Sequence, residues 1–331
     1  MARAETYRIG KVSPDDWRAF VSDAVGATVF CDGDWIRDAA QATGETPELV
    51  GAWDGDHLVA GVAGVTSGAG WRRRFATPDL LPHTGFLFRP PTTDRPAHIE
   101  SERTGATSAL VEYLQGAFAR IQLTHAPELV DTRAFLWAGW DVLPRYTYHI
   151  ALPEDRSMVW DGFERRTRTS IRKAEKAGYR VDATTDTSEL RQLYGQVYGG
   201  ETHAPVRGEV LQAMAQLAVD GGRVEGWRCV APGGETASVV FFATGQNTLS
   251  AWVAGADPSH RDSGAVSLLY WRVLENTPRT RFDFVGANLA TIAFFKRGFG
   301  GDLVPYFATE GFDNATVRTI VHLRRALRRS S

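Results

Sequence analysis

Lys296 is the residue of this chain best suited to act on negative charge. It lies in Phe-Phe-Lys-Arg-Gly-Phe-Gly (294–300), shortly after Arg-Phe-Asp-Phe-Val-Gly-Ala-Asn (281–288), so we predict an apolar loop around it. A lysine ammonium is a compact charge on a flexible stem, which suits a developing oxyanion or a phosphate. The alternative is a stem that packs on Phe295 while the ammonium reaches water. Only four of the 37 basic residues are lysine: Lys11, Lys173, Lys176 and Lys296.

Two polar residues, Asp283 and Asn288, precede Lys296 closely in the chain. Asp283 either accepts structural hydrogen bonds at a strand end or orients an amine substrate, and the structural role is favoured. With Phe295, these two residues are our candidates for contacts to a substrate. Lys296 is the candidate catalytic residue, and no residue is identified as a general base.

A cationic face is predicted on the helix that follows residue 161. At about 100° per residue, Arg165, Arg168, Arg172 and Lys176 share one stripe, and Arg166 and Lys173 flank it. So many cations repel one another unless an anion or acidic side chains neutralise them. The face therefore predicts contacts to phosphate, or a solvated surface paired with acidic residues.

The turn Arg-Asp-Ser-Gly-Ala-Val (261–266) follows a strand and opens a helix, where backbone N–H groups can hold phosphate. We include Arg261 among the candidate phosphate-binding residues. The turn resembles the Arg-x-x-Gly-x-Gly/Ala loop with which Gcn5-related acetyltransferases hold coenzyme A, but Val266 stands where Gly or Ala is expected. An ordinary helix cap by Ser263 is the alternative.

Composition narrows the class of protein. The chain has 331 residues, a net charge of -2 and a sequence pI of about 6.5, so it is not a general polyanion binder. Two cysteines make no disulfide framework, and no metal-binding or Walker motif occurs. The first ten residues lack an apolar signal region, and no apolar run could span a membrane. We therefore expect a cytoplasmic protein without a metal or cofactor.

The elements that must position these residues follow an α+β pattern that occurs twice. The pattern predicts helices over 161–177 and 266–276, a strand over 281–285 and a surface loop over 85–102. A basic helix is expected over 314–329. The predicted domains are residues 1–153 and 154–312, with 313–331 as a C-terminal helix that packs on the first domain.

Several segments together resemble the Fem family of aminoacyl-tRNA-dependent transferases. They are Arg-Thr-Ser-Ile-Arg-Lys-Ala-Glu-Lys-Ala-Gly (168–178), Phe-Asp-Phe-Val-Gly (282–286), Phe-Lys-Arg-Gly-Phe-Gly (295–300) and Phe-Leu-Trp-Ala-Gly-Trp (135–140). The resemblance spans roughly residues 130 to 300. It implies two tandem acetyltransferase-like (GNAT) domains, each a mixed, mainly antiparallel sheet flanked by helices. No heptads follow the cationic helix, so the chain is similar to members without a coiled-coil arm.

The resemblance also implies an activity. It implies transfer of an aminoacyl group from aminoacyl-tRNA to a primary amine of a peptide-type acceptor, with Lys296 taking part and without coenzyme A. The acceptor would be a cell-wall precursor or a peptide natural product. Two alternatives stay open: an acyl-coenzyme A-dependent N-acyltransferase, favoured by the Arg261 turn, and a non-catalytic module that binds tRNA or peptide.

Overall fold

The structure is a computed structural model that describes residues 7–197 and 204–314, together with 316, 318, 319 and 321. The chain forms two compact units, residues 1–144 with 306–331, and residues 145–305. The predicted domain ends at 153 and 312 differ from these limits because two strands, at 141–151 and 302–312, each have residues in both units. That each unit is an independent domain stays a prediction.

The first unit contains a mixed, mainly antiparallel sheet in the order β1-β2-β3-β4-β6-β13, in which β4 and β6 are parallel and β5 pairs with β3. Its strands are β1 Arg8–Lys11, β2 Thr46–Asp54, β3 His57–Ser67, β4 Arg74–Ala76, β5 Phe86–Phe88, β6 Arg120–Thr124 and β13 Asp302–Phe312. Its helices are α1 Pro14–Asp23, α2 Gly33–Thr43, α3 Pro96–Ala117 and α4 Arg133–Trp137.

The second unit repeats this design with the strand order β7-β12-β11-β10-β9-β8. Only the β11–β12 pair is parallel among its described strand pairs. Its strands are β7 Asp141–Ala151, β8 Arg180–Ala183, β9 Val224–Val230, β10 Thr236–Thr244, β11 Thr248–Ala256 and β12 Arg281–Asp283. Its helices are α5 Ser157–Gly162, α6 Arg165–Lys176, α7 Thr187–Val197, α8 Gly208–Asp220, α9 Ala265–Asn276 and α10 Ala290–Arg297.

Aromatic side chains form the core of the second unit. The Phe284 ring lies 4.8 Å from that of Phe282, 5.5 Å from that of Tyr270 and 5.3 Å from that of Phe299. Phe163 contacts Phe299 at 5.1 Å from the α5 side. Such offset and edge-to-face contacts add to the free energy gained from burial. This core therefore fixes the chain on both sides of the segment that carries Lys296.

Two predicted segments differ from the structure. The helix predicted over 161–177 is interrupted, because Phe163 is buried in the core and the Glu164 N–H donates to Gly298 O at 2.9 Å. The loop predicted over 85–102 instead contains β5 and the first turns of α3, which Pro96 begins at its first helical position.

The predicted C-terminal helix is described only in part. Thr316, Arg318, Thr319 and Val321 are helical, and the rest of that segment, with its basic residues from 324 to 329, lies outside the described residues. Its packing on the first unit stays a prediction.

Candidate active site

The strands of the second unit diverge where the candidate residues lie. β12 pairs with β11 only from Arg281 to Asp283, opposite Thr248 to Ser250, although β11 continues to Ala256. Beyond Asp283 the chain stays beside β7, where the Phe284 N–H donates to Tyr148 O at 3.0 Å. On the side of β11 that faces β12, the strand edge after Ser250 therefore pairs with none of the described strands.

Lys296 lies on α10 and not in the predicted loop, and its stem reaches back to the chain that follows β12. Its Nζ donates to the carbonyl oxygens of Phe284 at 2.6 Å, Val285 at 3.2 Å and Gly286 at 2.5 Å. A lysine ammonium has three donors, so these bonds use all of its protons. Nζ also lies 5.9 Å from the centre of the Phe284 ring. The ammonium is thus held by the backbone of this turn, and Lys296 as a whole is half-buried.

The turn that surrounds the ammonium is strained. Val285 has a φ of 52° and is the only non-glycine residue with positive φ in the described part of the chain. A β-branched residue in this region costs about 1–3 kcal/mol, and such strain persists only where neighbouring groups determine the conformation. The three bonds from Lys296 and the Val285 N–H, which donates to Asp283 Oδ1 at 2.8 Å, hold the turn in place.

Asp283 organises the base of the same turn. It is buried and accepts a hydrogen bond from the Thr147 hydroxyl at 2.6 Å, while His149 Nε2 lies 3.5 Å away. Burial works to raise the pKa of Asp283, but His149, Thr147 and the Val285 N–H outweigh it and lower the pKa below its usual value. These contacts support the structural role that the sequence favoured.

The two other predicted substrate residues are also engaged within the second unit. Asn288 Oδ1 accepts from the Tyr146 N–H at 2.9 Å, which fastens the end of the turn to β7. The ring of Phe295 contacts those of Tyr270 at 5.8 Å and Phe299 at 5.3 Å. Their contacts to a substrate stay predictions.

The charge of Lys296 should be sensitive to mildly alkaline pH. Burial lowers the pKa of its ammonium from 10.5 to about 8, and the Asp283 carboxylate opposes this shift. Because the pKa is lower in the folded state, the unfolded chain binds more protons between pH 8 and 10.5. Lys296 therefore adds to the free energy of unfolding as the pH rises through this window.

We predict that one lysine of the protein titrates well below the others. In protein labelled with ¹³C at lysine Cε, nuclear magnetic resonance should show four signals, since the chain has four lysines. The signal that disappears in Lys296→Met should have its midpoint near pH 8, whereas exposed lysines titrate near ~10.4. A midpoint for Lys296 at or above that of Lys11 would contradict the burial of its charge.

The predicted cationic face is only partly free to bind an anion. Arg165, Arg172 and Lys176 are exposed on α6, and the Arg172 guanidinium lies 5.4 Å from the Trp160 ring. Arg168 is half-buried, and its Nη1 donates to backbone carbonyls between α5 and α6, including Phe163 O at 2.6 Å. Lys173 Nζ donates to Asp262 O at 2.7 Å. Arg168 therefore stabilises the break between two helices, whatever else it contacts.

Arg166 joins α6 to the helix that carries Lys296. Its guanidinium lies 3.4 Å from the centre of the Phe294 ring and donates to Phe294 O. Glu164 accepts from Arg166 at 2.6 Å and from Arg297 at 3.1 Å. The sequence left open that acidic side chains, and not phosphate, neutralise the cationic face. Glu164 plays this part for Arg166, which lies on the flank of the face.

The turn that holds Arg261 packs against α6. Gly264 has a φ of 88°, and a Cβ atom there would lie 2.1 Å from Ser170 O. Ser263 Oγ accepts from the Ala265 N–H at 3.0 Å, but the N-cap residue of α9 is Gly264 and not Ser263, as the alternative had it. Arg261 is exposed beside this turn. A glycine lets another group come close to the backbone, and at Gly264 this space is already filled by the backbone of α6.

Comparisons with known proteins agree with this architecture. The family model described as Acetyltransferase (GNAT) domain matches residues 162–297. No curated protein matches the sequence significantly. A crystal structure of FemX aligns with a TM-score of 0.64 at 10% identity, covering 91% of this chain and 96% of that one. The chain has a Fem-like tandem GNAT fold.

Other solved structures share this Fem-like tandem GNAT fold. L-PGS from Bacillus licheniformis aligns with a TM-score of 0.55 at 12% identity, over 95% of this chain and 97% of that one. A tandem GNAT protein from the clavulanic acid biosynthesis pathway aligns with a TM-score of 0.54 at 13% identity, over 93% and 99%. The predicted fold class is thereby confirmed.

Sequence reasoning missed three residues around the candidate site. Thr147 and His149 come from β7, far from Asp283 in sequence, and no local pattern links them. Val285 could have been noticed, because Val-Gly directly after a strand can form a turn, but its positive φ is visible only in the structure.

Two further findings concern metal sites and membrane spans. The described residues contain no group of three or more His, Cys, Asp or Glu side chains that could hold a metal ion. Within the same residues, no helix has the length and apolar character needed to cross a membrane.

Proposed function

We propose that this protein transfers an aminoacyl group from aminoacyl-tRNA to a primary amine of a peptide-type acceptor, in the cytoplasm. The observation that carries the proposal is the buried ammonium of Lys296, held by a strained turn where β12 leaves β11. A fixed cation of this kind stabilises negative charge that develops in a transition state. The Fem-like fold supports the same reaction, since the sequence motifs resemble those of aminoacyl-tRNA-dependent transferases.

The proposed reaction needs no cofactor, because the aminoacyl ester is already activated. The neutral amine attacks the ester carbonyl, and the electron pair of the C=O bond moves to its oxygen. When the carbonyl forms again, the bond to the ribose oxygen breaks, and that oxygen takes up a proton as the amine nitrogen loses one. The protein must align both partners and stabilise the oxyanion.

Lys296 would act on this oxyanion through its charge. All three of its protons bond to turn carbonyls, so direct donation to a substrate oxygen requires one carbonyl to be exchanged for that oxygen. Val285 is the natural one to exchange, because its bond is the longest, at 3.2 Å, and its backbone is strained. A pKa of about 8 suits proton donation near neutral pH.

The exposed cations of α6 would bind tRNA phosphates. Replacing Arg165 and Lys176 by Gln should weaken tRNA binding and reduce the salt slope of log K by about one for each phosphate that is no longer neutralised. Binding should be measured by fluorescence anisotropy over a series of salt concentrations. The matched control replaces two exposed cations of the first unit, Lys11 and Arg18, by Gln. An equal change of slope in both double variants would show that only net charge matters.

Arg168 is left unchanged in this test for a structural reason. Its guanidinium donates to Phe163 O, so its replacement would disturb the α5–α6 junction as well as any tRNA contact.

A second candidate is an acyl-coenzyme A-dependent N-acyltransferase, favoured by the GNAT family match over residues 162–297. Against it stands the Gly264 turn, where the Ala265 N–H already donates to Ser263 Oγ and the α6 backbone takes up the space next to Gly264. A pyrophosphate needs free N–H groups and close approach to the backbone at such a turn.

One experiment separates these candidates. The protein is incubated with charged total tRNA and a panel of primary amines, and amide products are identified by mass spectrometry. In parallel, acetyl-coenzyme A is titrated by calorimetry and offered with the same amines. Amide formation that requires charged tRNA supports the proposal. Micromolar binding of acetyl-coenzyme A with acetylation of the amines, and no tRNA-dependent product, would favour the second candidate. Binding of tRNA without any product would favour a non-catalytic module.

A further inference from the structure

The first unit contains a pocket of about 640 Å³, formed by β5, the first half of α3 and the segment between β6 and α4. Its surface is mainly apolar, with Phe86, Phe88, Ile99 and Leu129 among its lining residues. Pockets that bind small molecules have this size and character, with a few polar groups that fix the orientation of the ligand. None of the residues predicted from the sequence to bind a substrate or tRNA lines it.

Two polar side chains of α3, Arg103 and Thr107, line this pocket on one face of the helix, because they are four residues apart. The guanidinium of Arg103 is half-buried, lies 5.5 Å from the centre of the Phe88 ring and makes no hydrogen bond or ion pair with another described residue. Thr107 is buried, and its hydroxyl likewise bonds to no residue that the structure describes. Buried polar groups usually have a hydrogen-bond partner, so this pair is suited to a polar group of a ligand.

The chemistry of these two side chains favours a carboxylate. A guanidinium donates two parallel N–H bonds to a carboxylate, and a threonine hydroxyl can donate a further one. The Phe88 ring attracts the guanidinium of Arg103 and keeps it beside the apolar part of the pocket. The α3 wall is therefore suited to an anionic group that is attached to an apolar body.

Acidic side chains around the pocket limit the ligand to a single negative charge. Glu100 lies one turn before Arg103 on α3, but it pairs with Arg133 at 2.9 Å, and Asp131 pairs with the same arginine at 2.7 Å. With Glu128, three carboxylates line the pocket against two guanidinium groups. A second carboxylate on the ligand would be repelled, so most of the affinity must come from burial of apolar surface.

We propose that this pocket binds a monocarboxylic acid with an apolar body, either a fatty acid or an N-acylated apolar amino acid. The carboxylate would lie at Arg103 and Thr107, and the apolar body would lie on Phe86, Phe88 and Leu129. The site goes beyond the proposed transfer reaction, and its test measures binding alone. Loss of transfer activity would therefore leave this proposal unaffected.

Three probes with the same chain of eight carbons separate the charge from the apolar body. Octanoate has one carboxylate, 1-octanol has none and octanedioate has two. Titrated calorimetrically into the full chain at neutral pH, octanoate should bind at least about tenfold more tightly than 1-octanol, because only octanoate makes charge-assisted hydrogen bonds to Arg103. Octanedioate should bind more weakly than octanoate, because its second charge would lie among apolar and acidic side chains.

Two further comparisons describe the apolar body of the ligand. From hexanoate to decanoate, each added methylene should improve the affinity about fourfold, because each is removed from water. N-Acetyl-L-leucine distinguishes the source: tighter binding than that of octanoate indicates an N-acylated amino acid, and weaker binding indicates a fatty acid.

Two variants test where the carboxylate lies. Arg103→Gln should weaken octanoate at least about tenfold, and Thr107→Val, which removes only the hydroxyl, should weaken it about fivefold, while both leave 1-octanol unchanged. Arg95→Gln is the matched control, since Arg95 is exposed at the start of the same helix and does not line the pocket. Equal affinities of octanoate and 1-octanol, no binding of octanoate, or an equal effect of Arg103→Gln on both probes would overturn the proposal. Thermal unfolding shows whether each variant is folded.

Discussion

Replacing Lys296 by methionine is expected to lower the rate of aminoacyl transfer at least about tenfold, or ~1.4 kcal/mol of transition-state stabilisation. Methionine keeps the length and apolar stem of lysine but removes the cation. It also leaves the carbonyls of Phe284, Val285 and Gly286 without their shared donor, so the strained turn loses its restraint. Transfer should be measured in single turnover with saturating charged tRNA, which separates chemistry from binding.

The control for this prediction is Lys11→Met, the same substitution at a lysine whose side chain is 74% exposed in the first unit. It should leave the rate within about twofold of wild type, because Lys11 lies in the first unit and its Nζ, 3.6 Å from Glu48 Oε1, makes no described contact with a candidate site residue. Circular dichroism must show that Lys296→Met is folded. Wild-type turnover in the folded variant would remove Lys296 from the mechanism.

A rate profile against pH separates the charge of Lys296 from its structural role. Raising the pH should increase the rate, because more of the acceptor amine becomes neutral. If the cation of Lys296 acts on the oxyanion, the wild-type rate should rise less steeply above about pH 8, where Lys296 loses its charge. Lys296→Met should lack that change.

Gly300→Ala is expected to lower the free energy of unfolding by about 2–5 kcal/mol, the largest stability effect that we predict. Gly300 has a φ of 72°, and a Cβ atom there would lie 2.1 Å from Gly162 O. The obstacle is backbone at the end of α5, so no side-chain rotation can relieve it. Because the same contact holds the chain after α10, the variant should also lose transfer activity. Urea unfolding, followed by tryptophan fluorescence, measures the stability.

Gly222→Ala is the matched control, because Gly222 also has positive φ, 64°, but nothing lies within 4 Å of its added Cβ. It carries the conformational penalty alone, about 1 kcal/mol. The difference between the two variants therefore isolates the steric overlap with Gly162. Equal losses of stability would show that the contact between Gly300 and the end of α5 is unimportant.

The sequence alone determined the elements whose patterns are local. Helix α9, predicted over 266–276, follows from hydrophobic periodicity and the turn residues before it. The tandem GNAT fold was predicted from the resemblance of the ordered motifs around Lys296 to the Fem family. The local elements could be predicted because periodicity and turn propensity act over a few neighbouring residues.

Only the tertiary structure decided what Lys296 and the cationic helix contact. The carbonyls that hold Lys296 belong to a turn with positive φ at Val285, and Thr147 reaches Asp283 from another strand. Arg168 could be placed on a cationic stripe, yet its bonds to carbonyls depend on a helix break that Phe163 causes by entering the core. Such contacts depend on packing between segments distant in sequence, and local propensity carries no information about them.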